Sequence, residues 1–553
     1  MIGAGVAASG FSRPQEQIVK GSSLPAPYKG VDTRASLGAM DPENCIYAFN
    51  LVPEEYGLKI RPGFREWQIA IESSTGLGVK TIMAFEGLSA SKLFCVTNEG
   101  IWDVTVAEAT PVLKKAFTVD VTAAAGHGVF TNYITAAGDQ LMFYADSKNG
   151  LYTYTESTDA WTVSAGITGP TIADIVYVVV HKLRVWFIEK EATKAWYLPI
   201  ASKAGTATEF FFGPKFPHGG TLRALINWSV DGGVGIDDYL VAVSSSGDVV
   251  PYKGADPSVA EGAGAAAENG WSVVGSYFIG QIPAGVRFYS EHSGELYLLS
   301  SFGLIGMSDL LRGVNIKDKA GVSLTYPIAS ILREALLVTG NSLGWEPIFL
   351  PSAGILLITS PISPATGRYI QYSMSLAVEG WGFWRDATIE VAFEWNKKIY
   401  FGTSDDRIMV MDVTRDEVLI DSGDADAAGR TIPFSVLTAY NDAGSAGVFK
   451  IPSFVRPDFL SVSPPEYQTK MFFDYAVAEE VFATGSITIQ TEGNWDVSLW
   501  DAGVWGSGDL ISEHELQGNA GLGRTMAIAL LGESGNTTRL ISYDIMWREG
   551  GLI

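Results

Sequence analysis

Cysteine is nearly absent from this 553-residue chain, with only Cys45 and Cys95 present. Two thiols cannot build a disulfide framework, and neither has a nearby Cys or His at zinc-ligand spacing. The expected site of assembly is therefore a reducing cytoplasm. Positive charge is also scarce: 38 Lys and Arg face 61 Asp and Glu, for a net charge of −23. Such a field repels a phosphate backbone, which disfavours general DNA binding. Long apolar runs are missing too. The best stretch, residues 175–188, is interrupted by His181, Lys182 and Arg184, so no membrane insertion is expected. The opening MIGAGVAASGF has no basic residue ahead of Arg13, makes a poor secretory signal, and is read as a flexible arm.

Signatures of chemistry are equally sparse. His127, His181, His218, His292 and His514 lie far apart, and none sits in an H-E-x-x-H spacing. His181 follows Val180 in an apolar strand and is read as an interior residue. The Gly232–Gly235 segment lacks the Lys-Ser or Lys-Thr ending of a P-loop, and no G-x-S-x-G elbow occurs. Asp237, Asp238, Asp405, Asp406, Glu479 and Glu480 are carboxylates of the type a propeller glycosidase uses. Adjacent pairs face opposite sides of a strand, so hairpin turns and solvated faces describe them better. The Ser-x-Asp-x-Gly-x-Thr-Trp boxes of sialidase-like propellers do not appear. Asp421, Asp424 and Asp426 crowd three carboxylates into a short stretch but miss the EF-hand pattern, and are read as a solvated linker. No catalytic residue, cofactor or metal site is expected.

What the chain does have is apolar and aromatic residues in short runs. At 47% hydrophobic and 18% charged it is a folded protein, neither disordered nor a coiled coil. Its 61 Gly and 24 Pro carry no three-residue period and punctuate many short strands. Thr81–Phe85, Lys92–Thr97 and Gly100–Val106 form one meander, and Gln140–Tyr144 with Gly150–Tyr154 begin another. Similar groups follow at Ile175–Tyr197, Tyr239–Tyr252, Gly285–Ser308, Trp345–Met374 and Ala387–Val413. They recur roughly every 40 to 60 residues, the scale of propeller blades and of solenoid repeats. No helix-length segment separates strands within a group, which argues for antiparallel sheets. One helix is expected at Ile328–Leu337, where Ile328, Ile331, Leu332 and Ala335 share a face.

The expected fold is mainly β: an antiparallel β-propeller with an additional β-sandwich-like domain and an extended N-terminal segment. The expected boundaries are an arm and docking segment at 1–75, a propeller at 76–415 with possible insertions, and a C-terminal β-rich domain at 416–553. Within the last, Thr431–Tyr440, Gln468–Tyr475 and Ser486–Thr491 are expected strands, and Trp495, Trp500, Trp505 and Trp547 are read as a compact core in preference to a contact surface.

Near the N-terminus, DPENCIYAFNLVPEEYGLKIRPGFREW joins Asn50, Gly57-Leu58 and Arg61-Pro62-Gly63-Phe64. This resembles the opening of bacteriophage short-tail nozzle and tail-hub proteins, a group that includes the T7-like tail tubular protein B and the P22-like packaged-DNA stabilisation hub protein. The closing ISYDIMWREGGLI is similar to the alternating strand and acidic-Gly-Gly tail of many such proteins. The resemblance implies a structural virion component of the tail, assembled in the host bacterial cytoplasm. It implies a homo-oligomeric ring, a hexamer, below the portal and adaptor, contacting tail fibre or needle proteins. Such a ring continues the DNA ejection channel and helps retain packaged DNA, with duplex passing through without tight binding. Residue by residue the motif reads as structural: Pro62 fixes a turn angle, Gly63 permits an angle closed to other residues, and Phe64 or Trp67 anchors the next strand. Arg61 has two readings, an intrachain or solvated Arg and a partner for a carboxylate on a neighbouring subunit.

Two other functions stay open. One is a phage fibre or baseplate propeller that binds host-surface glycan through exposed Trp and Tyr. The other is a propeller glycan hydrolase.

Overall fold

The structure, a computed structural model, describes residues 19–71, 75–231, 236–260, 270–313, 323–364, 367, 369–420, 429–476, 511–513 and 517–552. Short strands joined by tight turns pair with their sequence neighbours into a series of antiparallel meanders. Blade 1 comprises Val79–Glu86, Ser91–Thr97, Gly100–Asp103 and Val112–Ala116. Blade 2 comprises Gly128–Ile134, Gln140–Asp146, Gly150–Thr155 and Ala160–Val163, and blade 3 comprises Ile175–His181, Arg184–Glu189, Lys194–Tyr197 and Thr208–Phe211. Blade 4 holds Leu222–Asp231, Ile236–Ser244, Asp248–Lys253 and Gly270–Val273. Blade 5 has only three strands, Tyr289–His292, Glu295–Ser300 and Gly303–Gly306, followed by the helices Met307–Leu311 and Ala329–Thr339. Blade 6 runs through Glu346–Leu350, Ile355–Thr359, Gln371–Ser375 and Trp381–Trp384.

Blade 7 consists of Val391–Trp395, Lys398–Gly402 and Ile408–Val413, and its outermost strand is Gly63–Glu66 from the N-terminal segment. The first strands of blades 1, 2, 3 and 4 contact in order, blade 4 meets blade 5, blade 5 meets blade 6, and blades 6, 7 and 1 complete the circle. The fold is a seven-bladed β-propeller closed by a strand from far earlier in the chain.

The sequence writes these strands as continuous apolar runs because both faces of each blade are buried. In Ser91–Thr97, Leu93 and Cys95 face blade 7 beside Trp395 and Tyr400. Phe94 and Val96 face blade 2 beside Met142 and Tyr144. Side chains alternate along a strand, so one run serves two interfaces.

The second region is a β-sandwich. Its first sheet continues the edge of blade 6: Trp381–Trp384 is followed by Gly30–Val31, Asn44–Phe49, Ile432–Thr438, Met526–Ser534 and Glu466–Phe473. Its second sheet orders Leu51–Glu54, Gly57–Ile60, Thr538–Leu552, Val448–Ser461 and Ile511–Glu513, with Lys20–Pro25 also paired to Thr538–Leu552. Between the sheets lie Phe434, Val436, Ile528 and Leu530 with Val455, Phe459, Tyr543 and Ile545. The Phe434 and Phe459 rings approach to 6.2 Å. The outer face of the first sheet is covered as well, with Leu437, Phe472, Ala527 and Ala529 packed under Leu37, Ile46 and Tyr47.

Over Lys20–Glu66 the expected docking segment of 1–75 is thus corrected. These residues form strands of the sandwich and of blade 7, because their backbone groups pair with chain hundreds of positions away. The expected C-terminal strands Thr431–Tyr440 and Gln468–Tyr475 appear as Ile432–Thr438 and Glu466–Phe473. Ser486–Thr491, Trp495, Trp500 and Trp505 lie outside the described residues. The helix expected at Ile328–Leu337 is Ala329–Thr339, entered through a short turn at Tyr326–Ile328, with Ile328 and Leu332 buried. Among the described residues no helix is long and apolar enough to cross a membrane.

Candidate functional site

Two clusters of polar and charged side chains stand out, one at the joint between propeller and sandwich and one at the mouth of the propeller axis. The joint is built by the Asn50–Phe64 motif. Asn50 sits in the left-handed region at φ 57°, and its amide Nδ2 donates to the Pro433 carbonyl at 2.7 Å. Its Oδ1 accepts from Arg61 Nε at 3.0 Å and from the Arg385 backbone N–H at 2.8 Å. The Arg61 guanidinium makes a bidentate pair with Asp416 at 2.8 and 2.6 Å, and both side chains have no solvent exposure. A further guanidinium N–H donates to the Pro62 carbonyl at 3.1 Å. Every strand leaving the joint is pinned: Leu51–Glu54 and Gly57–Ile60 go to the sandwich and Gly63–Glu66 to blade 7. Residue 416 leads out of the propeller and Pro433 begins the next sandwich strand.

The glycines of the motif work by close approach. Gly57 has φ +139°, and a Cβ there would lie 2.1 Å from the Leu540 carbonyl oxygen. Gly63 does not occupy a left-handed conformation, contrary to the angle argument. A Cβ at Gly63 would instead lie 2.2 Å from the Arg415 carbonyl oxygen, because strand 63–66 runs tightly beside 415. Phe64 packs edge-on against Phe401 at 5.1 Å. Trp67 packs against Tyr400 at 5.0 Å and donates its indole N–H to Val104 of blade 1 at 2.8 Å. Arg61 is consumed within its own chain and presents nothing to a neighbouring subunit.

The axial mouth was not singled out from sequence. The segments leading into the first strands of blades 2, 4, 5 and 6 converge there with the second-to-third-strand turns of blades 2 and 3. They enclose a cavity of about 390 Å³ lined by His127, Lys148, Lys190, Arg223 and Arg287, with Glu191 at its edge and Leu222 and Trp345 in its wall. Arg287 crosses the axis: from the lead-in to blade 5 it donates to the Lys80 carbonyl of blade 1 at 2.8 Å, and it pairs with Glu346 of blade 6 at 3.4 Å. Lys80 in turn pairs with Glu390. A second bridge lies between Tyr177 of blade 3 and Tyr289 of blade 5, whose hydroxyls are 2.7 Å apart. The propeller axis is therefore bridged by side chains.

The electrostatics of the mouth follow from crowding. Burial, then the Arg287 and Lys80 cations, hold His127 well below the usual histidine range. Burial lowers Arg223 as well, and no carboxylate offsets it. Arg223 Nε is buried without a hydrogen-bond partner. Glu346 is raised by burial, with Arg287 opposing.

The remaining sequence candidates fall into structural roles or outside the description. His181 is buried, with Nδ1 2.6 Å from Asn227 Oδ1, and packs on Trp271. His218 is half exposed and meets Asp248 at 2.6 Å, and His292 stacks on Phe349. Asp406 accepts the Gly78 N–H at 2.8 Å in a turn, Asp405 pairs with Arg407, and Asp238 accepts from Ser229. Asp237 lies in the strand Ile236–Ser244. His514, Glu479, Glu480, Asp421, Asp424, Asp426 and Gly232–Gly235 lie outside the described residues. Among the described residues no group of three or more His, Cys, Asp or Glu could hold a metal ion. Burial pushes both thiols, Cys45 and Cys95, well above the usual range, which leaves them unreactive packing groups. None of the described tryptophans is exposed, whereas Tyr56 and Tyr475 are.

No family model matches the chain, and no curated protein matches it. Among solved structures the chain is similar to one described as BBS1N in complex with ARL6DN, at 11% identity and a TM-score of 0.27, covering 44% of this chain and 72% of that one. It is also similar to one described as YCF48 bound to D1 peptide, at 10% identity and a TM-score of 0.32, covering 62% and 95%. At these TM-scores neither likeness bears on function, and the propeller is established by the chain's own strand pairing and closed ring of blades.

Proposed function

We propose that this chain is a structural, non-enzymatic component of a short-tailed bacteriophage tail, the nozzle or hub that continues the DNA ejection channel. One observation carries the reading. Five of the six residues on which the resemblance rests, Asn50, Arg61, Pro62, Gly63 and Phe64, meet at one joint that locks the propeller to the sandwich, and the sixth, Gly57, packs against Leu540 within the sandwich. A motif spent mainly on holding two β domains at a fixed angle suits a protein whose work is assembly geometry rather than turnover. In this proposal six copies form a ring below the portal and adaptor in the virion tail, after assembly in the host bacterial cytoplasm, and tail fibre or needle proteins attach to it. The conduit lies between the copies, since side chains bridge each propeller's own axis. The net charge of −23 favours a lumen along which duplex slides without being held.

Negative-stain imaging of the purified chain, alone and with the tail adaptor, tests the proposal. The expected images are closed rings with a central hole wide enough to pass duplex DNA. Persistent monomers or trimers in both samples would overturn it.

A further inference from the structure

The axial mouth is chemically out of character with the rest of the molecule. In a chain of net charge −23, one cavity of about 390 Å³ collects Lys148, Lys190, Arg223, Arg287 and His127 against a single lining carboxylate, Glu191. Arg287 already has Glu346 as a partner. Arg223, Lys148 and Lys190 have no ion pair or side-chain hydrogen bond among the described residues, Lys148 having only the longer-range attraction of Asp120, and Arg223 Nε is buried with its donor unmet. A buried donor left without an acceptor costs about 1–3 kcal/mol, more for a charged group. Such a cost is offset where a water molecule or an ion supplies the acceptor.

The geometry narrows the acceptor. The cavity is within the range of small-molecule sites, about 300 to 1,000 Å³. Its cations come from separate blades, with Lys148 in blade 2, Lys190 in blade 3, Arg223 in the first strand of blade 4 and Arg287 before blade 5. They are therefore held by a rigid ring rather than by one mobile loop. A planar guanidinium with lysines around it matches an oxyanion with several negative oxygens. Leu222 and Trp345 supply a dry wall that strengthens those contacts.

We propose that the axial mouth of the propeller is a binding site for a small, multiply charged oxyanion of the polyphosphate or polycarboxylate class, with Arg223 as its central donor and Lys148 and Lys190 closing over it. The site does not depend on the ring, because every residue comes from one chain.

Isothermal titration of the full chain with tripolyphosphate, and separately with citrate, tests this. The expected result is saturable binding of at least one probe at one site per chain. Arg223→Gln should weaken it by about tenfold or more, the loss of a charged hydrogen bond. The double variant K148A/K190A, which changes two exposed side chains and should fold normally, should weaken it as well. Lys253→Ala, an exposed lysine far along blade 4, should leave it unchanged. Absence of saturable binding of both probes would overturn the proposal. So would binding that the Lys148 and Lys190 substitutions leave intact, since that is diffuse attraction to surface cations.

Discussion

The joint holds a fully buried arginine and the axial mouth a half-buried one, and the two are opposites. At the joint, the charge of Arg61 is answered twice by Asp416 and once by Asn50, with neither member of the ion pair exposed. At the mouth, Arg223 is half-buried and lowered by burial, and its buried Nε has no acceptor. A fully satisfied network holds structure together and has no capacity left for a ligand. An unsatisfied one adds nothing to the fold and keeps its donors for an incoming group.

The strongest way to break the contrast is at the joint. Arg61→Met leaves Asp416 buried and uncompensated, and should destabilise the chain by about 3–5 kcal/mol in denaturant unfolding. The double variant R61M/D416L should recover much of that loss, because the isolated charge is gone. If the single variant costs less than about 1 kcal/mol, the joint is not the clamp described here. Gly57→Ala comes next, with an expected loss of about 1–3 kcal/mol from backbone strain and the contact with Leu540. Arg223→Gln should act in the opposite sense to Arg61→Met and stabilise the chain by about 1 kcal/mol, because it removes a buried donor that has no acceptor. A loss comparable to that of Arg61→Met would erase the distinction between the two clusters.

The smallest effect concerns pH. Glu291, on the first strand of blade 5, has an exposed side chain, yet the protein packed around its carboxyl raises it from 4.5 to about 7 through partial burial. A carboxyl raised by folding favours the folded state while protonated, so its contribution is complete below pH 4.5 and fades as pH rises through 7. Melting curves of wild type and Glu291→Gln should coincide near pH 4.5. At pH 8 the variant should melt higher, by a margin that solvent contact keeps small.

Much of the propeller was legible because its information is local. The runs at Lys92–Thr97 and Gly150–Tyr154 became Ser91–Thr97 and Gly150–Thr155, since apolar runs ended by turn residues mark strands buried on both faces. The helix near Ile328 was legible for the same reason, from the spacing of Ile328, Ile331 and Leu332. The role of Lys20–Glu66 was not. Its strands pair with Ile408–Val413, Ile432–Thr438 and Thr538–Leu552, and strand pairing across such separations leaves no local pattern. Arg61 showed the same gap, since nothing near it announces Asp416, 355 positions on.

The mouth was hidden differently. Its cations are scattered one or two to a blade, so each reads as an ordinary turn residue. The available signal was that His127, Arg223 and Arg287 stand just before or at the start of the strand groups of blades 2, 4 and 5, the same position within each blade. Reading charge by position within each repeat, rather than along the chain, would have gathered them.

The most direct test of the account is native mass spectrometry of the purified chain. If the joint fixes propeller and sandwich as the rigid unit of a tail ring, the spectrum should show a closed assembly of six copies of the 59.3 kDa chain. Arg61→Met should release it toward smaller species. A wild-type chain that stays monomeric, with and without the tail adaptor, would contradict the account.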